Sequence, residues 1–178
     1  MKNKESDIHI SFLFDVLKRY DHYIATTNVK AGLLLSFLGV VIFGVVLRLS
    51  FVKLNDGCSS VILLTVSALL LTTCIYSCWK LIDVVLPNVT SSKDDESLIF
   101  FGDVANMKSK SIYVNKIKTS IESNLQKDLA EQVYFIAKVT DQKFKVLAEA
   151  SKIIKYATLP LLVVFVFAYS ISWFTGFS

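Results

Sequence analysis

Residues 57–79 read GCSSVILLTVSALLLTTCIYSCW, which is 23 residues without a single charged side chain. A helix that rises 1.5 Å per residue needs about 20 apolar residues to cross about 30 Å of hydrocarbon. Two further charge-free runs, residues 31–47 and 156–178, hold 17 and 23 residues. The sequence therefore predicts an integral membrane protein with three transmembrane helices.

The composition supports this prediction, because 53% of the 178 residues are hydrophobic, 19% are charged and the mean hydropathy is +0.54. A soluble domain carries about 25% charged residues. The remaining polar sequence, residues 1–30 and 80–155, is enough for one small domain and too little for a large enzyme. Mixed charges ahead of the first run are unlike a secretory signal peptide, so that run is predicted to be retained as an anchor.

Lysine and arginine predict the orientation, since membrane insertion leaves positively charged segments in the cytoplasm. Of the 19 basic residues, all but Arg48 and Lys53 lie before the first run or between the second and third runs. The N-terminus and the long connection are therefore expected in the cytoplasm, and the C-terminus outside. The net charge of +4 includes no basic block of the kind that binds nucleic acid, so no nucleic-acid partner is expected.

The residue types that carry catalysis or bind metals form no recognisable site in the sequence. It has no nucleophile elbow, no glycine-rich phosphate loop and no HExxH pattern. His9 and His22 have no second ligand at zinc spacing and are expected to be solvated helix residues. Cys58, Cys74 and Cys78 all lie in the second run, where the last two share a helix face and are expected to pack as small residues. The sequence thus predicts neither an enzyme nor a metal site.

The polar segments carry helical periodicity. Between residues 5 and 30 the apolar residues recur at spacings of three and four, and no proline or glycine intervenes before Gly32. A helix is expected to continue from there into the first span, either transmitting motion to the membrane or only packing on its own domain.

The run at residues 97–105 predicts a strand or an extended segment. Residues 108–155 predict two helices with a break near residues 123–128, or one long bent helix, leading into the third span.

The predicted fold class is an all-α membrane protein with a small, mostly helical cytoplasmic domain. The N-terminal helix and the segment between the second and third spans form that domain. The parts in chain order are a cytoplasmic amphipathic helix at 1–30, transmembrane helices at 31–52 and 57–79, a cytoplasmic region at 80–155 and a transmembrane helix at 156–177.

Small residues four apart allow helices to approach closely in lipid. Gly32 and Ser36 have this spacing in the first span, and Ser172 and Gly176 have it in the third. Such a face serves either packing within one chain or association between chains. Gly32 and Ser36 are therefore the candidate residues for helix packing or oligomerisation. Pro160, one turn inside the third run, is expected to bend its helix.

Two short motifs lie at the entry to the first span and in the polar connection. They read Asn-Val-Lys-Ala at residues 28–31 and Leu-Ile-Phe-Phe-Gly-Asp at residues 98–103. Together with a long helix carried into a final span, they resemble the Pycsar membrane effector family over nearly the whole chain. The resemblance implies an antiphage effector of abortive infection in the bacterial inner membrane, encoded beside a pyrimidine cyclase. It implies no cofactor beyond an activating cyclic mononucleotide, cCMP or cUMP.

A cyclic nucleotide needs an apolar face for its base, cations or amide donors for its diester, and a polar group for its ribose or base edge. The candidate ligand-binding residues are Arg19, Lys30, Phe100, Phe101, Gly102 and Asp103. The phenylalanines offer a stacking face, the glycine a close backbone approach, the aspartate an acceptor, and the other two side chains positive charge. The alternative is that the phenylalanines are core, the glycine is a turn residue with positive φ, and the aspartate caps the next helix.

The resulting hypothesis is a non-enzymatic, oligomeric effector whose cytoplasmic region at 80–155 senses the nucleotide and whose spans then breach the inner membrane. Its partners are the lipid bilayer, the nucleotide and further copies of the chain. A ligand shifts such an equilibrium only by its different affinity for the two states, which favours a site shared between elements that move. Two alternatives stay open: a holin-like or toxin pore former that needs no ligand, and a membrane anchor that recruits a cytosolic partner.

Overall fold

The computed structural model describes residues 2–51, 58–86, 97–120 and 122–175. These residues form helices and no strand, in the order α1 (Lys2–Phe51), α2 (Cys58–Val85), α3 (Phe101–Ala105), α4 (Lys110–Thr119), α5 (Glu122–Ile153), a π-helical turn (Ile154–Thr158) and α6 (Leu159–Thr175). Three helices are long and apolar enough to cross a membrane: α1, α2 and the continuous helix that includes α5 and α6. The prediction of an all-α protein with three transmembrane helices is therefore confirmed.

Helix α1 is a single uninterrupted helix of 50 residues. At 1.5 Å per residue it is about 75 Å long, more than twice the thickness of the hydrocarbon core. It contains no proline, and its first glycine is Gly32, so nothing in its polar first half interrupts the backbone hydrogen bonds. The predicted continuity between the N-terminal helix and the first span is confirmed.

The third long helix changes its hydrogen-bonding pattern just before Pro160. At the end of the π turn, the Leu159 N–H donates to the carbonyl oxygen of Ile154, five residues back. Proline has no N–H to donate, and its ring crowds the carbonyl of the preceding turn. A π turn is wider than an α turn and relieves that crowding. The bend expected at Pro160 stays a prediction, and the feature that the structure shows on the N-terminal side of the proline is a π turn.

Two local predictions in the polar connection are corrected. Residues 97–105 form no strand: residues 97–100 are irregular, with Phe100 extended, and α3 follows them. The break predicted near residues 123–128 lies earlier, because α4 ends at Thr119 and Ser120 has an extended backbone with ψ of 133°. The Ser120 hydroxyl donates to the carbonyl oxygen of Lys116 at 2.6 Å. A serine that binds the backbone in this way offers the chain an alternative to continued helix.

The chain divides into two compact units. The head unit comprises Met1–Thr26 and Pro87–Gln142, and the membrane unit comprises Thr27–Leu86 and Lys143–Ser178. Helices α1 and α5 each supply residues to both units. Among the residues singled out above, Lys53, Gly176 and the side chains of Cys58 and Ser172 lie outside the part that the structure describes.

The core of the membrane unit follows a repeat of 3.5 residues. In α2 the buried side chains are spaced alternately by three and four residues: Ser60, Leu63, Ser67, Leu70, Cys74, Ser77, Leu81 and Val84. Helix α1 adds Ala31, Leu38 and Val45 at intervals of seven, and the third helix adds Leu147 and Ile154 to the same cluster. This spacing is typical of helices that wind around one another. All three long helices therefore contribute to one core.

Many other apolar side chains of the membrane unit point outward. Large exposed side chains include Leu33, Val40 and Phe43 on α1, Ile75 on α2 and Phe167 on α6. A water-soluble protein rarely exposes so extensive an apolar surface, whereas a lipid bilayer covers it at no penalty. The exposed apolar surface and the three spans together support a membrane location.

Candidate ligand-binding site

Ser97 organises the segment that precedes the predicted site residues. Its hydroxyl donates to Asp128 Oδ1 at 2.7 Å and accepts the N–H groups of Ile99 at 3.1 Å and Phe100 at 2.9 Å. The other carboxylate oxygen of Asp128 accepts the Leu98 N–H at 2.9 Å. Side chains of the head unit thus bind the backbone donors at residues 98–100, which is why the chain there forms a turn and not a strand.

Asp103 and α4 complete the same turn. The Oδ2 atom of Asp103 accepts the N–H of Ser97 at 3.1 Å. The Tyr113 hydroxyl donates to the carbonyl oxygen of Leu98 at 3.3 Å, and Gln132 Nε2 lies 3.2 Å from the Ser97 hydroxyl. The segment is therefore bonded to both α4 and α5, and Asp103 has a structural function in it.

The two phenylalanines of the predicted site have different surroundings. Phe100 is 7% exposed, and its ring centroid lies 5.0 Å from that of Phe101 and 6.0 Å from that of Phe135. Phe101 is 64% exposed. Gly102 does not have a positive φ, so the prediction of a turn residue with positive φ is wrong. Its small size matters instead, because a Cβ atom there would lie 2.7 Å from Cε1 of Phe100. Of the two rings, Phe101 is the one that solvent reaches.

The two predicted cations lie in different units. Arg19 and Lys30 are both exposed on α1, 11 residues apart, with Arg19 in the head unit and Lys30 in the membrane unit. The structure therefore brings together residues 100–103, which are also neighbours in the sequence. Arg19 belongs to the same unit as that segment, and Lys30 belongs to the other unit.

The Gly32 and Ser36 face of α1 does not contact another helix of the same chain at Gly32. A Cβ atom added to Gly32 would find no other atom within 4 Å. The Ser36 hydroxyl is exposed and donates to the carbonyl oxygen of Gly32 at 3.0 Å, one turn back on the same helix. Among the described residues, none therefore packs against the Cβ position of Gly32, and the two predicted uses of this face stay predictions.

A cavity of about 430 Å³ lies in the head unit between the first part of α1 and the first part of α5. It is lined by His9, Phe12, Leu13, Gln126, Lys127 and Ala130. Phe12 is 64% exposed, and neither the His9 nor the Gln126 side chain makes a hydrogen bond to another described residue. One cavity thus combines an aromatic face, an imidazole, an amide and an ammonium group.

The sequence did not predict this cavity. His9 is predicted to be a solvated helix residue, and Phe12 is one of the apolar residues that recur at helical spacing between residues 5 and 30. The residues that line the opposite wall come more than 110 positions later in the chain, so no local spacing connects the two walls. The one available signal was the recurrence of His9, Phe12 and Leu13 on one face of a helix.

Lys127 is the charged group at the cavity, and it has one described ion-pair partner. Its Nζ atom lies 3.5 Å from Oε1 of Glu131, one turn along α5, and both side chains are largely exposed. An exposed pair of this kind is worth about 0–1 kcal/mol. Lys127 is therefore available to an anionic ligand that replaces Glu131.

A second lysine, Lys143, is buried in the membrane unit where α2 ends. Its Nζ atom donates to the carbonyl oxygens of Val84 and Leu86, the latter at 3.2 Å, and to Asn28 Oδ1 at 3.4 Å. The last carbonyls of a helix have no partner within the helix and carry partial negative charge. Lys143 supplies both a donor and a positive charge there, and so joins α1, α2 and α5 at one point.

Comparison with known proteins agrees with the resemblance noted in the sequence. The model of the Pycsar effector protein domain, PycTM, matches residues 12–170. The chain is 28% identical over 176 residues to the Pycsar effector protein EcPycTM of Escherichia coli, an alignment that covers 93% of each protein. No solved structure matches the chain.

Proposed function

The chain belongs to the Pycsar effector protein family, and on that premise we propose that it is a membrane effector of bacterial antiphage defence that a cyclic pyrimidine nucleotide activates. Binding of cCMP or cUMP to the head unit changes the arrangement of the spans and impairs the integrity of the inner membrane. The protein acts without catalysing a reaction. Family membership and the three spanning helices are enough to describe it as a transmembrane antiviral effector.

The observation that supports this mechanism best is the continuity of α1 and α5 from one unit into the other. Both helices extend from the membrane unit into a head unit that has its own network of hydrogen bonds. A ligand that binds one state of the head unit more tightly shifts the whole chain toward that state by its difference in affinity. No separate transmitting element is required.

The proposal includes an orientation and an assembly. The head unit lies in the cytoplasm and the C-terminus lies outside, because the basic residues are concentrated in the first and third polar segments. Several copies of the chain associate in the membrane, and the unoccupied Gly32 and Ser36 face of α1 is the surface proposed for that contact. The residues that the sequence proposes for the ligand are Arg19, Lys30 and the segment 100–103.

Leakage from vesicles tests the function. Full-length protein reconstituted into liposomes loaded with a self-quenching dye is mixed with cCMP, cUMP, cAMP, cGMP or no nucleotide. We expect dye release with a cyclic pyrimidine nucleotide and none without it. Release in every sample, including the one without nucleotide, supports the pore former that needs no ligand. No release with any nucleotide supports the membrane anchor.

A further inference from the structure

We propose that the cavity between α1 and α5 of the head unit is the site that binds the cyclic nucleotide, with the base against Phe12 and the phosphate at Lys127. This inference rests on the proposed function for the class of ligand. It assigns that ligand to residues other than those proposed from the sequence. We refer to the six lining residues given above as the head cavity.

The size of the head cavity suits a small ligand. Sites for small molecules in proteins have volumes of about 300–1,000 Å³, and the head cavity, at about 430 Å³, lies near the lower end of that range. A mononucleotide has one base, one ribose and one phosphate, and belongs with the smaller ligands in that class. The opening toward solvent allows entry without a rearrangement of the core.

The lining residues match the three parts of a cyclic nucleotide. The exposed ring of Phe12 offers a face on which any base stacks. Lys127 offers an ammonium group to the single negative charge of the cyclic diester. The Gln126 amide has both donors and an acceptor, as the edge of cytosine or uracil requires. The Gln126 and His9 side chains make no hydrogen bond to another described residue, so a ligand displaces no described protein partner from them.

The segment at residues 97–103 is less suited to the ligand, because its polar groups already have partners within the protein. The backbone donors of Leu98, Ile99 and Phe100 are bound to Asp128 and Ser97. The ring of Phe100 is buried. A nucleotide there has the exposed ring of Phe101 to bind to and must compete with the protein for the backbone donors.

The ion pair of Lys127 and Glu131 provides a test that distinguishes ligand binding by Lys127 from a purely structural role of that side chain. Glu131 lies outside the lining of the head cavity and its carboxylate competes with the nucleotide phosphate for Lys127. Glu131→Gln removes that competition and should strengthen nucleotide binding, by about two- to fivefold given the worth of an exposed ion pair. A gain in affinity cannot result from misfolding.

Isothermal titration of detergent-solubilised full-length protein with cCMP and cUMP tests the assignment. Phe12→Ala should weaken binding by about five- to 150-fold, the range for loss of one stacked base. Lys127→Ala should weaken binding and reduce its dependence on salt. Two control variants should bind as the parent does: Tyr134→Ala removes an exposed ring of α5, and Lys138→Ala removes another exposed lysine of the same helix. Phe101→Ala is titrated beside them as the test of the segment 97–103.

The outcomes separate the site from the function. If the parent binds a cyclic pyrimidine nucleotide and the variants at Phe12, Lys127 and Glu131 bind it unchanged, the head cavity is not the site and the proposed function stands. If Phe101→Ala alone loses binding, the site is the segment 97–103. If the parent binds none of the nucleotides, the proposed function fails and the assignment fails with it. Thermal melts of each variant confirm that the protein titrated is folded.

Discussion

The ammonium group of Lys143 is held by three oxygens from two parts of the chain, one on α1 and two at the end of α2. The side chain is 8% exposed, and its described partners are two backbone carbonyls and one side-chain amide, none of which carries a full negative charge. A buried charge is costly unless it is well hydrogen-bonded. The end of a helix meets that requirement, because its last carbonyls concentrate partial negative charge. A single side chain thus satisfies the carbonyl of Val84 in the last turn of α2 and that of Leu86 just after the helix.

Lys143→Met keeps the length of the side chain but removes its donors. The carbonyls of Val84 and Leu86 then lose their partner, and we expect the free energy of unfolding to fall by about 1–3 kcal/mol. Lys152→Met is the matched control, since Lys152 is exposed on the same helix. Thermal melts in one detergent compare the two variants. Equal melting temperatures would show that water satisfies the carbonyls as well as Lys143 does.

Phe100 and Phe101 differ in burial and should differ in the effect of truncation. Phe100→Ala leaves a cavity where its ring meets Phe101 and Phe135, and should lower stability by about 3–5 kcal/mol. Phe101→Ala removes an exposed ring and should change stability by less than about 1 kcal/mol. Denaturant or thermal unfolding of both variants measures the difference. Similar losses in both would mean that Phe101 is packed as firmly as its neighbour.

At the residue scale, the sequence could single out residues 100–103 but could not predict which of their side chains are buried. A doublet of phenylalanines before a glycine and an aspartate is compatible with a ligand site and with a core. The conformation of this segment depends on Asp128, a carboxylate about 30 positions further along the chain that binds Ser97 and Leu98. The head cavity is beyond local sequence patterns for the same reason, since Phe12 and Lys127 approach each other only in the folded chain.

At the scale of elements, a helix was predicted correctly where a strong physical constraint acts on its sequence. Lipid excludes charge, so charge-free runs of 17 and 23 residues predict spans reliably. A helix with no proline or early glycine has nothing to interrupt it, and α1 is continuous as predicted. The nine residues at 97–105 carry no such constraint, because a short apolar run is compatible with a strand and with a helix. Nor does any breaker residue mark Ser120, where α4 ends.

The Gly32 and Ser36 face of α1 provides a prediction about association between helices. Gly32→Leu should reduce crosslinking between chains and reduce nucleotide-dependent leakage, because a bulky side chain keeps helices apart. Gly44→Leu is the matched control. Gly44 lies about 120° around the same helix, and neither glycine has another atom of the chain within 4 Å of its Cβ position. If both variants assemble and release dye as the parent does, the face contacts lipid.

At the scale of the whole molecule, the distribution of lysine and arginine predicts how the chain is inserted. Reporter fusions after Lys30, Asp56, Asp103 and Ser178 measure the side of the membrane on which each point lies. We expect cytoplasmic signals after Lys30 and Asp103, and external signals after Asp56 and Ser178. A cytoplasmic signal after Ser178 would contradict a third crossing, although the helix is long enough for one.

The π turn at Ile154–Thr158 also means that the third long helix tolerates a shorter chain at one place. A π turn arises when one extra residue is inserted into an α-helix, so removing one residue there restores the regular helix and keeps the phase of both flanking segments. Deletion of the exposed Tyr156 should therefore leave Leu147 and Phe165 on the buried side. Deletion of Ala148 in regular α5 should instead rotate one flank by about 100° and expose core side chains. Thermal melts should find the first deletion folded and the second unfolded, and a reversed order would contradict the π turn. Loss of a single codon for residues 154–158 should thus leave the side chains on both flanks of the π turn on the same sides of the helix as before.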